Sequence, residues 1–460
     1  MACGGRDRCR GAGAGEIPST IVPPNTAPDA IAQKDRRPAA ALSRSGLSRS
    51  GLPPVVGRVG AAVVVLAALV AAVVLTVRHP DALVTMLPLP DMRDLHVDFD
   101  TFWHSAVALT QGGDIYVTGA KLRNLNPPLL SVLLTPFAAF DALTAYRIWM
   151  VLTLLMVIGS IWAVARELRL PRTATALVLL AVVASSPVHG TLVLGQIYPL
   201  LLVGLVAGWI AQRHDRPLLG AVLLGATVAL KPSLAPILLL PAVLRRWPEF
   251  RAGIYGAAGA SLLGVAIAGP SSAWAWLRIA FTEGVPNTVD NASIPGLAVR
   301  FAYATGISPV ITAVAGMLLG AVVLVGTLLW LGHRRADVDP MGTAMWAVIA
   351  ASLLFSPIAW HNYLMLLWPG MLILLARGRT NVVVVAFAVA LIPVSWNAEW
   401  PPDGVGPAVA RSLYCVILLG YWLSLSRSAV SAEPSSPSSE PAVSAAGPAS
   451  DGRAADDGTG

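Results

Sequence analysis

Long apolar runs alternate with short polar breaks from about residue 59 to residue 426. Runs such as 59–77 and 307–331 are long enough to cross a bilayer, which takes about 20 apolar residues in a helix. Backbone groups in lipid must be satisfied within their own segment, so these runs read as α-helices. The period-two alternation that a membrane barrel requires is absent. The pattern therefore predicts an all-α integral membrane protein.

The polar breaks set the topology. With the N-terminus in the cytosol, a first span near 59–77 leads out to a polar stretch at 79–141. A second span, near 143–165, returns to Arg166, Arg169 and Arg172. A third, near 174–187, leads out to a turn carrying His189, Gly195 and Gln196, and a fourth returns to Arg213 and Arg216. The next apolar stretch runs from about 218 to Arg245-Arg246 and is interrupted at Lys231-Pro232. Each half has only about 13–15 residues, short for a full span. Pro232 breaks the helix because it lacks an N–H and clashes with the preceding turn, placing Lys231 at the outer end or inside a cavity. A span near 254–268, an outer loop at 269–305, and a span ending at His333-Arg334-Arg335 follow. Another span reaches Ser356-Pro357, the next returns to Arg377 and Arg379, and the last pair brackets 395–406 and ends at Arg427. About twelve membrane segments result, with basic inner loops, both termini cytosolic, and one clear broken stretch.

Composition supports this and adds two tails. Hydrophobic residues make up 55% of the chain and charged residues 12%, and the mean hydropathy is +0.68. Residues 1–55 and 428–460 are rich in Ala, Gly, Ser and Pro and are expected to be disordered cytosolic tails around a membrane domain at 56–427. The N-terminal stretch lacks the compact layout of a cleavable signal peptide. The net charge of +7 sits in that tail and the inner loops, a membrane pattern rather than a nucleic-acid-binding one. Cys3, Cys9 and Cys415 imply neither a disulfide framework nor a metal cluster.

Against this scarcity of charge, an acidic cluster beside the first span (Asp94, Asp98, Asp100) requires a reason. Ionisable residues at a membrane edge are functional candidates by default. Aromatic and apolar residues at helical spacing over 99–109 predict a helix at interfacial depth with Asp98 at its N-terminal end. There Asp98 is either a helix cap or a base that takes a proton from a hydroxyl. Asp100 completes an Asp-x-Asp, which holds a hard cation only with further oxygen ligands, and reads as solvent-facing. Asn126-Pro127-Pro128 is a stiffened turn. Lys231 either snorkels to the interface or meets a phosphate. Arg300 is a second possible phosphate clamp. Trp360, His361 and Asn362 belong either to an aromatic belt or, through His361, to an anion site. Asp98, Asp100, Asn126, Gln196, Lys231, Asn291, Arg300, Trp360 and His361 all fall at the expected outer face. No Walker loop, dinucleotide fingerprint or His-Glu-x-x-His occurs, so no nucleotide-driven chemistry and no cofactor is expected, with a divalent metal left open.

The ordered set Asp98-Phe99-x-x-Phe102-Trp103, Asp114-Ile115-Tyr116, Asn126-Pro127-Pro128, Gly195-Gln196, Lys231-Pro232, Asn291-x-Ser293-Ile294-x-Gly296 with Arg300, and Ser356-Pro357-Ile358-Ala359-Trp360 resembles glycosyltransferase family 87 of the GT-C superfamily, over about residues 59–426. The resemblance implies a polytopic GT-C bundle at the plasma membrane with its active site on the outer face. It also implies transfer from a polyprenyl-phosphate sugar, mannose in α-1,2 linkage or alternatively arabinofuranose, to an envelope glycolipid or polysaccharide. By this resemblance Asp98 matches the catalytic aspartate, the general base on the acceptor hydroxyl. The family's histidine follows the Ser-Pro-x-x-Trp motif. Here His361 directly follows Trp360, and Asn362 holds the next position. Lys231, Arg300 and His361 are the expected donor-phosphate ligands. Asp100, Asn126, Gln196, Asn291, Trp360 and Asn362 are expected to contact substrate. The competing class is a transporter or flippase of lipid-linked sugars, which would show matched broken helices in two halves.

Overall fold

A computed structural model of the chain describes residues 54–430 apart from 287, 289, 336, 337, 340, 341 and 402. The two expected tails lie almost wholly outside the described residues, as do Cys3 and Cys9. The described residues are helical, with one isolated antiparallel bridge between Asn291 and Trp360.

The helices used below are α1 (Pro54–Arg78), α2 (Val97–Thr110), α3 (Pro128–Leu133), α4 (Ala142–Glu167), α5 (Arg172–Val183), α6 (Ser186–Leu194), α7 (Tyr198–Arg213), α8 (Pro217–Leu230), α9 (Trp247–Ala268), α10 (Pro270–Thr282), α11 (Ile294–Thr305), α12 (Pro309–His333), α13 (Thr343–Phe355), α14 (Trp368–Ala376), α15 (Thr380–Ala390) and α16 (Leu413–Ala429). Among the described residues α1, α4, α9 and α12 are each long and apolar enough to cross a membrane, and α5 with α6, bent by 49°, makes a fifth span if counted as one. The expected count of about twelve membrane segments is not confirmed by these spans. The other apolar helices have 10–17 residues. Many are short because proline or a 3₁₀ segment interrupts them and because they pack on protein rather than lipid. The bilayer sets the length only of a helix that lipid surrounds.

Burial separates the two kinds. α13 has almost every residue buried and packs against α12, α16 and the 3₁₀ segment Pro232–Leu238. By contrast, α1, α9 and α12 display many exposed Leu, Val and Ile side chains, among them Leu66, Leu262 and Leu318. α8 and α9 meet through glycines. A Cβ on Gly225 would stand 2.1 Å from the Gly253 carbonyl oxygen. Such small-residue contacts replace the hydrophobic drive that lipid removes, and they hold the end of α8, where Lys231 begins the break.

The structure has more breaks than the sequence pattern predicts. Besides Lys231-Pro232, the chain bends between α5 and α6, and a 3₁₀ segment, His361–Leu367, precedes α14. These interruptions bring backbone and polar side chains to one end of the bundle, where the candidate site lies.

Candidate functional site

The site is built around the first turn of α2. The preceding residue, His96, is fully buried. Its Nδ1 lies 2.7 Å from the Val193 carbonyl, its Nε2 accepts from the Leu89 N–H at 3.3 Å, and its ring stacks on Tyr146 at 3.9 Å. α2 is thereby fixed against α4 and α6. No side chain caps it, so Asp98 is not its cap. The half-buried Asp98 carboxylate instead accepts a 2.5 Å hydrogen bond from Gln196 Nε2. The Gly195-Gln196 pair explains that contact. Gly195 ends α6 at φ +70°, a left-handed conformation favouring glycine. A Cβ there would fall 2.4 Å from the Phe99 side chain, so only glycine lets α2 approach this closely.

Lys231 joins from the broken helix. Its Nζ donates to Asn126 Oδ1 at 3.1 Å and lies 5.9 Å from the Tyr363 ring centre. Asn126 is itself braced. Its N–H and its amide donate to Asn124 Oδ1, and its carbonyl accepts from Tyr116 Oη at 2.9 Å. Tyr116 is placed by the Asp114 carboxylate, which accepts its N–H. Asp114-Ile115-Tyr116 and Asn126-Pro127-Pro128 thus form one scaffold that aims Lys231.

Asp98 lies in this loop and helix system outside the spans. Burial pushes its carboxyl up to about 6, against the opposing pull of Lys231 and the Gln196 hydrogen bond, with Asp290 adding a further upward push. A carboxylate so poised is matched to proton transfer near neutrality.

Asp290 was not singled out by sequence. The signal available was an acid directly before Asn291 in a loop expected to lie outside, a position that periodicity does not mark. Its carboxylate stands 3.9 Å from His361 Nδ1, an ion-pair distance rather than a hydrogen bond. Burial pushes the Asp290 carboxyl up, but the His361 ring beside it outweighs this and holds it below the usual carboxylate value.

Two cavities, each of about 270 Å³, flank these groups. One is lined by Lys231, Trp276, Trp360 and Tyr363 among mostly apolar residues. The other is lined by His189, Asp290, His361 and Ser395. Trp360 and His361, adjacent in sequence, thus serve different cavities. The Asp98 carboxyl feels the charges of Lys231 in the first and Asp290 in the second, although it lines neither cavity. His361 is only 2% exposed, and among the described residues neither its ring nitrogens nor the Asn362 amide has a hydrogen-bond partner. Both side chains pack under Gly190, where a Cβ would meet Asn362 Oδ1 at 2.4 Å and His361 Nε2 at 2.7 Å. His189, expected in a turn, lies within α6.

Three expected site residues are tied into the scaffold. Asn291 Nδ2 donates to the Pro357 carbonyl, and its Oδ1 accepts from the N–H groups of Ser293 and Ala359. Ser293 caps α11 through the Gly296 N–H at 3.0 Å, and Gly296 leaves room for the Asn291 side chain. Arg300, expected as a phosphate clamp, is 4% exposed and donates to the carbonyls of Thr288 and Asn291 and to Ser412. It ties down the loop carrying Asp290, while its Nη2 has no hydrogen-bond partner among the described residues. Asp100, expected to face solvent, is 2% exposed and lies 3.3 Å from His104 Nδ1. Two residues along a helix point to nearly opposite sides, so Asp98 and Asp100 do not converge.

With the geometry in place, a family model described as Glycosyltransferase family 87 matches residues 124–357, just over half of the chain. The protein belongs to glycosyltransferase family 87. Of the groups above, Asn126, Gln196, Lys231, Asp290 and Arg300 of this family member fall within the match, and Asp98 and His361 flank it. In two strains of Mycobacterium tuberculosis, an alpha-(1->3)-arabinofuranosyltransferase is 24% identical over 371 residues, covering 78% of this chain and 80% of that protein. No solved structure matches. The family and the helices together make this a membrane glycosyltransferase, one that joins a sugar donor to an acceptor.

Proposed function

We propose that the protein moves one sugar from a polyprenyl-phosphate donor to a hydroxyl of an envelope glycolipid or polysaccharide at the outer face of the plasma membrane, without a cofactor. The observation that carries this reading is Asp98, held by Gln196 with its carboxyl raised to about 6, within electrostatic reach of Lys231 in an aromatic cavity and of Asp290 in a polar one. The first cavity suits a phosphate carried on an apolar chain, with Lys231 as the cation. The second suits hydroxyls, from which the Asp290 carboxylate can accept and to which the imidazole rings can donate.

In the proposed step the acceptor hydroxyl gives its proton to Asp98 as its oxygen bonds to the anomeric carbon. The bond from that carbon to the phosphate oxygen breaks on the opposite face, inverting the centre. The electron pair leaves with the polyprenyl phosphate, whose growing charge lies beside Lys231. General-base catalysis contributes about 10²–10⁴-fold, and a charge fixed at the leaving group contributes separately.

Mannose, in α-1,2 linkage, is the sugar this reading takes first. Arabinofuranose is the second reading, favoured by the name of the mycobacterial relative. The test incubates the purified protein in lipid with polyprenyl-phosphate mannose or polyprenyl-phosphate arabinose and a mannosylated glycolipid, for wild type and Asp98→Asn, with and without chelator. Transfer that collapses in the variant supports the reading and identifies the sugar. Transfer undiminished by Asp98→Asn overturns the assignment of the base. Donor binding without transfer would favour a transporter.

A further inference from the structure

A second feature lies at the opposite end of α4. Two cavities of about 680 and 650 Å³ share the wall formed by Trp162, Arg166 and Arg169. The first adds Arg213 and Glu167, and the second adds Arg172. Four arginines therefore face a single carboxylate. That carboxylate is already engaged, because Glu167 accepts from Arg213 at 2.8 Å and lies 2.9 Å from His214. Arg166 stands 5.4 Å over the Trp162 ring, and Trp162 is 50% exposed. Exposed leucines at 155, 177 and 180 flank the region on the apolar side. An indole beside arginines, at the end of an apolar span, is the composition of a headgroup-depth site.

The positions of the arginines matter more than their number. Arg169 follows α4 at φ +53°, and the chain closes there through the Leu170 N–H to the Ala165 carbonyl at 2.9 Å. Glycine is the residue this turn favours, because a β-carbon crowds the backbone. Arg172 is the first residue of α5, where the helix dipole disfavours a cation. An inner loop needs positive charge for topology, but neither of these placements. Local rules broken together point to a function for the side chains.

We propose that these two adjoining cavities bind the phosphate headgroup of an anionic phospholipid. Arg166, Arg169 and Arg172 contact the phosphate, and Trp162 sits at the boundary with the acyl chains. Two cavities on one basic wall also accommodate a lipid with two phosphates.

The test measures lipid adducts by native mass spectrometry, and thermal unfolding, for the full chain with phosphatidylglycerol, cardiolipin, phosphatidylcholine or inorganic phosphate. Anionic lipid should bind and raise Tm, whereas phosphatidylcholine and free phosphate should not. Arg166→Gln with Arg169→Gln and Arg172→Gln should weaken binding by about 100-fold, at the usual contribution per arginine. Arg169→Gly separates function from folding. It relieves the left-handed turn, so the lipid-free protein should melt at the same or a higher temperature while binding falls about fivefold. Arg245→Gln with Arg246→Gln should leave binding intact, because that loop lines neither cavity although Arg245 shares the left-handed turn at φ +62°. Equal binding of phosphatidylcholine, equal loss in the Arg245/Arg246 control, undiminished binding by Arg169→Gly, or binding of inorganic phosphate alone would each overturn the proposal.

Discussion

The Asp98 cluster and the Asn291 loop are both polar, both at the same end of the bundle, and both marked by motifs of the same family. They differ in what their atoms have left to offer. Asn291 uses its donor and acceptor to staple 291–293 to 357–359, and Arg300 secures the same loop through backbone carbonyls. Asp98 has one side-chain hydrogen-bond partner, Gln196. His361 and Asn362 have none among the described residues. Membership of a motif therefore does not by itself separate chemistry from scaffold, and hydrogen-bond satisfaction distinguishes Asn291 from Asp98, His361 and Asn362. A buried polar group whose bonds are complete stabilises the fold, and one whose bonds are incomplete costs stability unless a ligand completes them.

The sharpest way to break this comparison is to remove one member of each set. Asp98→Asn should lower turnover at least about 10²-fold while raising Tm at neutral pH. The sign follows from linkage. The folded carboxyl is raised from 3.8 to about 6, so the fold binds more protons than the unfolded chain between those values. Stability present at low pH is lost as pH rises through 6, and the neutral amide escapes that loss. Asn291→Ala should do the reverse, lowering Tm and yield through three broken hydrogen bonds while turnover per folded molecule stays within a few-fold. Paired thermal unfolding and transfer assays check both, and an Asn291→Ala protein that melts normally but is inactive would sink the distinction.

Lys231→Met should lower kcat/KM for the donor by about 10²-fold, the scale for losing one preorganised charge partner. Lys231→Arg should restore part of it, and the donor titration of each variant is the measurement. Gly190→Ala should reduce activity less drastically. Its methyl would press on His361 and Asn362, and the second cavity should change while the Lys231 cavity does not, visible as a larger effect on acceptor KM than on donor KM.

The smallest expected effects are in the pH profile. Activity should rise with pH along a limb whose midpoint lies near 6, where Asp98 becomes the base. Lys231→Met should move that midpoint up, because the ammonium favours the charged carboxylate. Asp290→Asn should move it down, because a neighbouring negative charge is removed. Shifts of the opposite sign would mean that another group controls the limb.

The helical class and the four long spans were legible because a lipid-facing helix must be apolar over a fixed length. The break at Lys231 was legible because proline cannot continue a helix. The short interior helices were not correctly counted, since a helix buried in protein is apolar without spanning. Asp98 stood out as a rare acid at a membrane edge. Asp290 did not, since its proximity to His361 depends on a loop held by Asn291 and Arg300, two residues more than 50 positions from His361.

The amino-acid sequence by itself determined where helices form, which residues carry charge, and that Asp98 and Lys231 are exceptional. These depend on local backbone physics and on the cost of ions in an apolar setting, which each segment meets alone. Only the tertiary structure decided that Lys231 and His361 serve different cavities, that Asp100 turns away, and that Arg300 binds backbone carbonyls. A side chain's remaining hydrogen-bond capacity depends on its neighbours, and those neighbours are fixed by packing between segments far apart in the chain.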